Sequence, residues 1–165
     1  SGEWNRHNLS LPGLQIYNVD SYHDPHDGSK LGKNSIFVLE MEKPRLRIVH
    51  LGDLGHRLTE EQRAQIGKVD LLMIPVGGYY TLTLEEVLAV IEHLQPRAVI
   101  PVHFRTTHNP HTPIGSVEDF ICLNLPYQVK YKDSRVCLTS QELPDQTEIW
   151  VMEYMLPAEY PGNTS

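Results

Sequence analysis

Apolar and polar positions along the chain fall into short blocks with two different periods. Residues 14–20 (LQIYNVD), 35–41 (SIFVLEM) and 46–51 (LRIVHL) have the mixed character of strands, and EKPR between the last two predicts a hairpin. Residues 69–76 (VDLLMIPV) and 97–104 (RAVIPVHF) are nearly continuous apolar runs, the pattern of strands buried on both faces. Between them, Leu84, Val87, Leu88, Ile91 and Leu94 recur at helical spacing. Thr83 and Glu86 supply a capping box for that helix, and Pro96 ends it. A shorter helix is predicted over 59–67, with Thr59 as N-cap, Gln62 three residues on and Gly67 at its close. Ser116 caps a third over 116–123. Residues 127–132, 135–140 and 148–154 read as three more strands. Residues 1–13 read as a loose lead-in, 21–34 as a polar loop and 157–165 as a loose tail.

Strands and helices alternate through the middle of the chain, so the expected class is α/β, in one domain spanning 1–165. Polar loops follow the strands at 14–20, 46–51, 69–76 and 97–104, and ligand sites of α/β sheets gather at that carboxyl edge.

Composition narrows the function classes. Lys and Arg total 14 against 21 Asp and Glu, a net charge of −7, and no basic run stands out. A nucleic-acid partner is therefore not expected. No apolar run approaches the ~18 residues of a membrane span, and the expected location is the cytoplasm. Cys122 and Cys137 sit in apolar stretches (FICL and RVCLT) and are expected to be buried thiols.

The candidate chemistry lies at strand ends. His23, Asp53 and His103 each stand just past a predicted strand, beside a polar or Gly-rich loop. Imidazole nitrogens and a carboxylate are ligands for zinc, iron or manganese, and two His with one carboxylate also match the facial triad of a single-iron oxygenase. Loop histidines held by ordinary hydrogen bonds are the other reading of the same residues.

Three stretches carry a more specific signal. SYHD with GKNSIFVLE, then RIVHLGDLGHRLTEEQRAQIGKVDLLMIPVGGYYTL, then LQPRAVIPVHFRT, resemble the metallo-β-lactamase-fold hydrolases over residues 14–156. The branch in question is the small bacterial and archaeal one of ascorbate-6-phosphate lactonase-like proteins. The resemblance implies an αββα sandwich, here its C-terminal part, with a metal site at one edge of two sheets. It implies zinc, two ions in the complete site, with manganese or iron as alternatives. His23 and His103 would each bind a metal and Asp53 would bridge the two. The implied reaction is hydrolysis of an ester, lactone, amide or phosphoester of a small-molecule substrate.

Around these ligands, Gly52 and Gly55 leave room for a tight turn beside the ion. Gly77 and Gly78 keep the next loop low, so that Tyr79 and Tyr80 line a pocket. His56 is a candidate for the catalytic machinery, and Arg105 for an anionic part of the substrate. His50 is expected to point away from Asp53.

The family's H-x-H-x-D-H string, which normally supplies most ligands, is absent from these 165 residues. The expectation is that the chain is the C-terminal portion of a longer one. Its partner would then be the N-terminal segment or a second copy. The rival is a non-catalytic, degenerate relative that serves as a binding or interaction module.

Overall fold

The computed structural model describes residue 4 and residues 6–139 and 141–154. Its elements are β1 (Asn8–Leu11), β2 (Leu14–Tyr22), β3 (Lys33–Glu42), β4 (Arg45–His50), α1 (Glu60–Ile66), β5 (Leu71–Pro75), α2 (Leu84–Leu94), β6 (Ala98–Val102), α3 (Val117–Ile121), β7 (Gln128–Lys132) and β8 (Glu148–Met152). The eight strands form one sheet in the order β1-β2-β3-β4-β5-β6-β8-β7. Strands β1 to β4 pair antiparallel, and β4, β5, β6, β8 and β7 run parallel. The change follows from the connections. Short turns return the chain antiparallel, whereas α1 and α2 carry it back across the sheet to start the next strand in the same direction.

All three helices begin with reciprocal caps, Thr59 with Gln62, Thr83 with Glu86 and Ser116 with Asp119. Their apolar faces pack on one face of the sheet. Ile66, Val87, Val90, Ile91 and Phe120 join Ile36, Val38, Val49, Leu72, Ile74, Val99 and Ile149 in a single core. The opposite face carries a smaller cluster of Leu46, Leu71, Ala98 and Trp150, covered by Val136, Leu138 and Leu143. Arg97 holds this cover in place, with Nε donating to the Pro144 carbonyl at 2.9 Å and Nη2 to the Leu143 carbonyl at 2.6 Å. Among the described residues there is thus one sheet with one helical layer, and no helix long and apolar enough to cross a membrane.

Several expectations need correction. Within the stretch read as a loose lead-in, Asn8–Leu11 is a strand paired with β2. Its four residues are all exposed, so no hydrophobic alternation marks it, and the sheet edge supplies the order instead. The strand expected over 135–140 does not form in the described residues 135–139, where burial nevertheless alternates. Val136 and Leu138 turn inward as the cover just described, which produces a strand-like pattern without strand pairing. That alternation also turns Cys137 outward, and Cys122 closes α3 on its outer side; both thiols are exposed, not buried. The expected tail over 157–165 lies outside the described residues.

Strand β8 carries a polar link between the outer strands. Glu148, 9% exposed, accepts from Lys130 Nζ at 2.6 Å and from the Trp150 indole N–H at 2.9 Å. Burial pushes its carboxyl up, but the bonds from Lys130 and Trp150 outweigh this and hold it below the ordinary value of 4.5. A carboxyl lowered by folding stabilises the protein above its unfolded value, and that contribution is lost as pH falls through the folded one. Glu148→Gln is therefore expected to cost about 1 kcal/mol at pH 7. Urea denaturation should show the gap narrowing below pH 4; a gap that holds constant with pH contradicts the assignment.

Candidate metal centre

Three loops at the carboxyl edge of the sheet meet at Asp53. The first follows β2 and begins with His23. The second follows β4 and carries Asp53, and the third follows β6 and begins with His103. His23 Nε2 lies 3.5 Å from Asp53 Oδ2, and His103 Nε2 lies 3.7 Å from Asp53 Oδ1. The two imidazoles therefore face different oxygens of one carboxylate.

These separations exceed the 2.7–3.2 Å of an N–H···O hydrogen bond. His23 Nε2 and His103 Nδ1 are buried with no hydrogen-bond partner. Two donor atoms on one tetrahedral zinc, each bound at its usual length, stand about 3.4 Å apart. The spacing thus suits atoms that share a cation better than atoms that bond each other. Among the described residues no group of three or more His, Cys, Asp or Glu stands close enough to hold a metal ion by itself. His23, Asp53 and His103 thus offer donor atoms of a kind that binds a cation, but not a full set.

The Asp53 turn is held from both sides. Leu51 and Leu54 are fully buried in the core, while Asp53 between them projects outward with half of its side chain exposed. The Leu51 amide donates to the Met73 carbonyl at 3.0 Å, and the Gly55 amide to the Tyr22 carbonyl at 3.1 Å. Gly52 has φ +60°, a conformation open chiefly to glycine. Its amide donates to His50 Nδ1 at 2.9 Å, which requires that nitrogen to be unprotonated. Burial lowers the His50 pKa against the opposing charge of Asp53, in keeping with that role.

Close approach, more than turn geometry, explains two other glycines. A Cβ on Gly55 would stand 2.2 Å from the His23 carbonyl oxygen, and one on Gly77 would stand 2.3 Å from that of His103. The Gly77 amide donates to the same His103 oxygen at 3.0 Å. His103 itself has φ +51°, a conformation costly for a non-glycine residue and found where a site over-determines it.

The other candidates are placed as follows. His56 has both ring nitrogens engaged by backbone: Nε2 accepts from the Tyr22 amide at 3.2 Å, and Nδ1 lies 2.8 Å from the Arg57 carbonyl. Tyr79 and Tyr80 stack edge-on with ring centroids 4.5 Å apart, and Tyr79 is 74% exposed at φ +58°. Gly115 donates to the Gly77 carbonyl at 2.6 Å, and the Arg105 amide donates to Gly115 at 2.8 Å. These bonds knit the loop of the tyrosines to the loop of His103 and Arg105. Arg105 lines a cleft of about 450 Å³ with Phe104, Val117 and Tyr154.

Sequence reasoning missed two supports. Asp24, 3% exposed, accepts backbone amides of Leu31, His26, Lys30 and Gly28 at 2.7 to 3.2 Å and so closes the loop after His23. The bond from Leu31, aided by the other three against the effect of burial, lowers its pKa to about 2. An Asp opening a Gly-rich polar stretch was the available signal. Asn34, which bonds the Asp53 amide, had no such signal.

A mixed sheet with helices on one face, and a His–Asp–His cluster at its carboxyl edge, defines a metallo-β-lactamase-like protein. The chain belongs to the β-lactamase superfamily: residues 2–103 match the Beta-lactamase superfamily domain. It is similar to a Thermotoga maritima protein described as a Zn-dependent hydrolase of the metallo-β-lactamase superfamily. The two share 30% identity and a TM-score of 0.72, over 90% of this chain and 69% of that one. A metal-dependent hydrolase of Thermococcus onnurineus is 31% identical over 98 residues, 58% of this chain and 43% of that protein. One from Cupriavidus taiwanensis is 38% identical over 85 residues, 51% of this chain and 28% of that protein. The chain thus spans less than half the length of these two relatives. A metallo-β-lactamase-fold protein of Bacillus subtilis, 9% identical with a TM-score of 0.52, shares the fold.

Proposed function

We propose that this chain carries part of the metal centre of a metal-dependent hydrolase, with His23, Asp53 and His103 as its ligands. The observation behind this reading is one carboxylate facing two imidazoles beyond hydrogen-bond distance, with one of the facing atoms, His23 Nε2, buried and unpartnered. The names of the similar proteins support the reaction class. Zinc is the metal that the donor set favours, with manganese and iron as alternatives. When bound, such a cation supplies Lewis-acid activation of water and of the scissile group. The substrates in view are small molecules with an ester, lactone, amide or phosphoester bond.

The chain's own residues have distinct tasks in this reading. Asp53 presents one oxygen to each histidine side and so holds two donors in register. Tyr79 and Tyr80, whose loop is bonded to that of His103, are the aromatic groups proposed to meet substrate, and Arg105 the cation proposed for an anionic substrate group. His56, with both nitrogens on backbone, braces the start of the His23 loop and moves no proton in this arrangement. The partner proposed for this centre is a segment that supplies further ligands, or a second copy of the chain.

A second reading, a binding module that retains only the scaffold, draws on the missing H-x-H-x-D-H string. Elemental analysis of the complete protein separates the two. Two zinc or manganese ions per chain are expected, and a complete chain that holds no metal rules out the hydrolase.

A further inference from the structure

We propose that Asn34 is the positioning residue of Asp53, and that it sets the spacing between Asp53 and the strand end that bears His23. Asn34 is the second residue of β3, paired across the sheet with Ser21 of β2. Its side-chain amide works with both halves. Oδ1 accepts from the Asp53 amide at 3.0 Å, while Nδ2 donates to the Leu51 carbonyl at 2.9 Å and to Ser21 Oγ at 2.8 Å. One side chain thus grips both ends of the Leu51–Asp53 turn and ties them to a fully buried serine two residues before His23.

The turn is shaped around this amide. A Cβ on Gly52 would stand 2.5 Å from Asn34 Oδ1, so the glycine leaves the space that Asn34 occupies. The chemistry requires a carboxamide. A carboxylate would set an oxygen against the Leu51 carbonyl, and an alanine would leave both the Leu51 carbonyl and the Asp53 amide without this partner. Supports of this kind orient ligands without touching the ion, and their loss typically costs about 10–100-fold in metal affinity.

The clamp stands on the geometry alone, whereas its effect on metal rests on the reading in the preceding subsection. Two measurements on the full-length protein separate them. In the metal-free, unaltered protein, the Asp53 amide is expected to exchange hydrogen at least about tenfold more slowly than an unstructured peptide. Exchange at the unstructured rate overturns the clamp without the need for any variant. Competition for Zn²⁺ against a chromophoric chelator gives the second measurement. Asn34→Ala should lose the Asp53 protection and weaken Zn²⁺ binding by about 10–100-fold. Ser21→Ala cuts the tie to the strand of His23 but leaves both bonds to the turn, so it should keep the Asp53 protection and weaken Zn²⁺ binding less than Asn34→Ala does. An Asn34→Ala protein with unchanged Asp53 protection or unchanged Zn²⁺ affinity overturns the proposal. If the unaltered protein binds no Zn²⁺, the hydrolase reading fails, while Asp53 exchange still decides the clamp.

Discussion

Asp53→Ala in the complete protein should abolish stoichiometric metal binding while leaving the fold intact. Two features set the size of the expected effect. The carboxylate faces both His23 and His103, so its loss removes an element common to both contacts. Loss of an outer support alone costs about 10–100-fold in affinity, and loss of a ligand shared by two donors should exceed about 100-fold. The fold should survive because the turn is anchored by Leu51 and Leu54, whose side chains are fully buried, and the Asp53 side chain is half exposed. Stability of the metal-free variant should stay within about 0.5 kcal/mol of the unaltered protein. His103→Ala is expected to weaken metal binding as well. Elemental analysis and chelator competition read both variants, and full metal occupancy with activity in both would show that the ligands lie elsewhere.

Gly77→Ala should destabilise the protein far more than Gly78→Ala, although the two residues are neighbours in one loop. At Gly77 the added methyl would meet the His103 carbonyl oxygen at 2.3 Å and the Ile114 side chain at 3.1 Å. A backbone oxygen has no rotamer to move to, so the strand end itself must shift. The cost belongs at or above the top of the roughly 1–3 kcal/mol range for overpacking. At Gly78 nothing lies within 4 Å, and only the φ of +62° resists a side chain. That alone costs about 1–2 kcal/mol. Urea denaturation of both variants measures the difference. Because Gly77 also donates to the His103 oxygen, its variant should lose Zn²⁺ affinity too. Equal destabilisation by the two substitutions would contradict this packing account.

Local elements were legible where local chemistry decides them. The caps of Thr59, Thr83 and Ser116 need only residues three positions apart, and all three form as their sequences predict. The hairpin of β3 and β4 and the buried strands β5 and β6 follow the apolar pattern. Elements that depend on distant neighbours were less legible. Strand β1 has no buried face of its own, and residues 135–139 alternate without pairing. Cys122 and Cys137 lie among apolar residues yet face outward, because the direction of a side chain depends on what its segment packs against.

The same division runs through the candidate centre. From the sequence alone came the three residues that meet, His23, Asp53 and His103, since each stands at a strand end in a motif with a recognisable resemblance. Also readable there were the glycines beside them and the absence of the H-x-H-x-D-H string. Only the tertiary structure decided how these residues are held. It showed that Gly55 and Gly77 are small because the backbones of His23 and His103 press on them. It also showed His56 engaged by backbone at both nitrogens, and a carboxamide on β3 gripping the turn that carries Asp53. The physical reason is range. Caps and periodicity act over three or four residues, whereas a contact between Asn34 and Asp53 exists only after β2, β3 and β4 have paired.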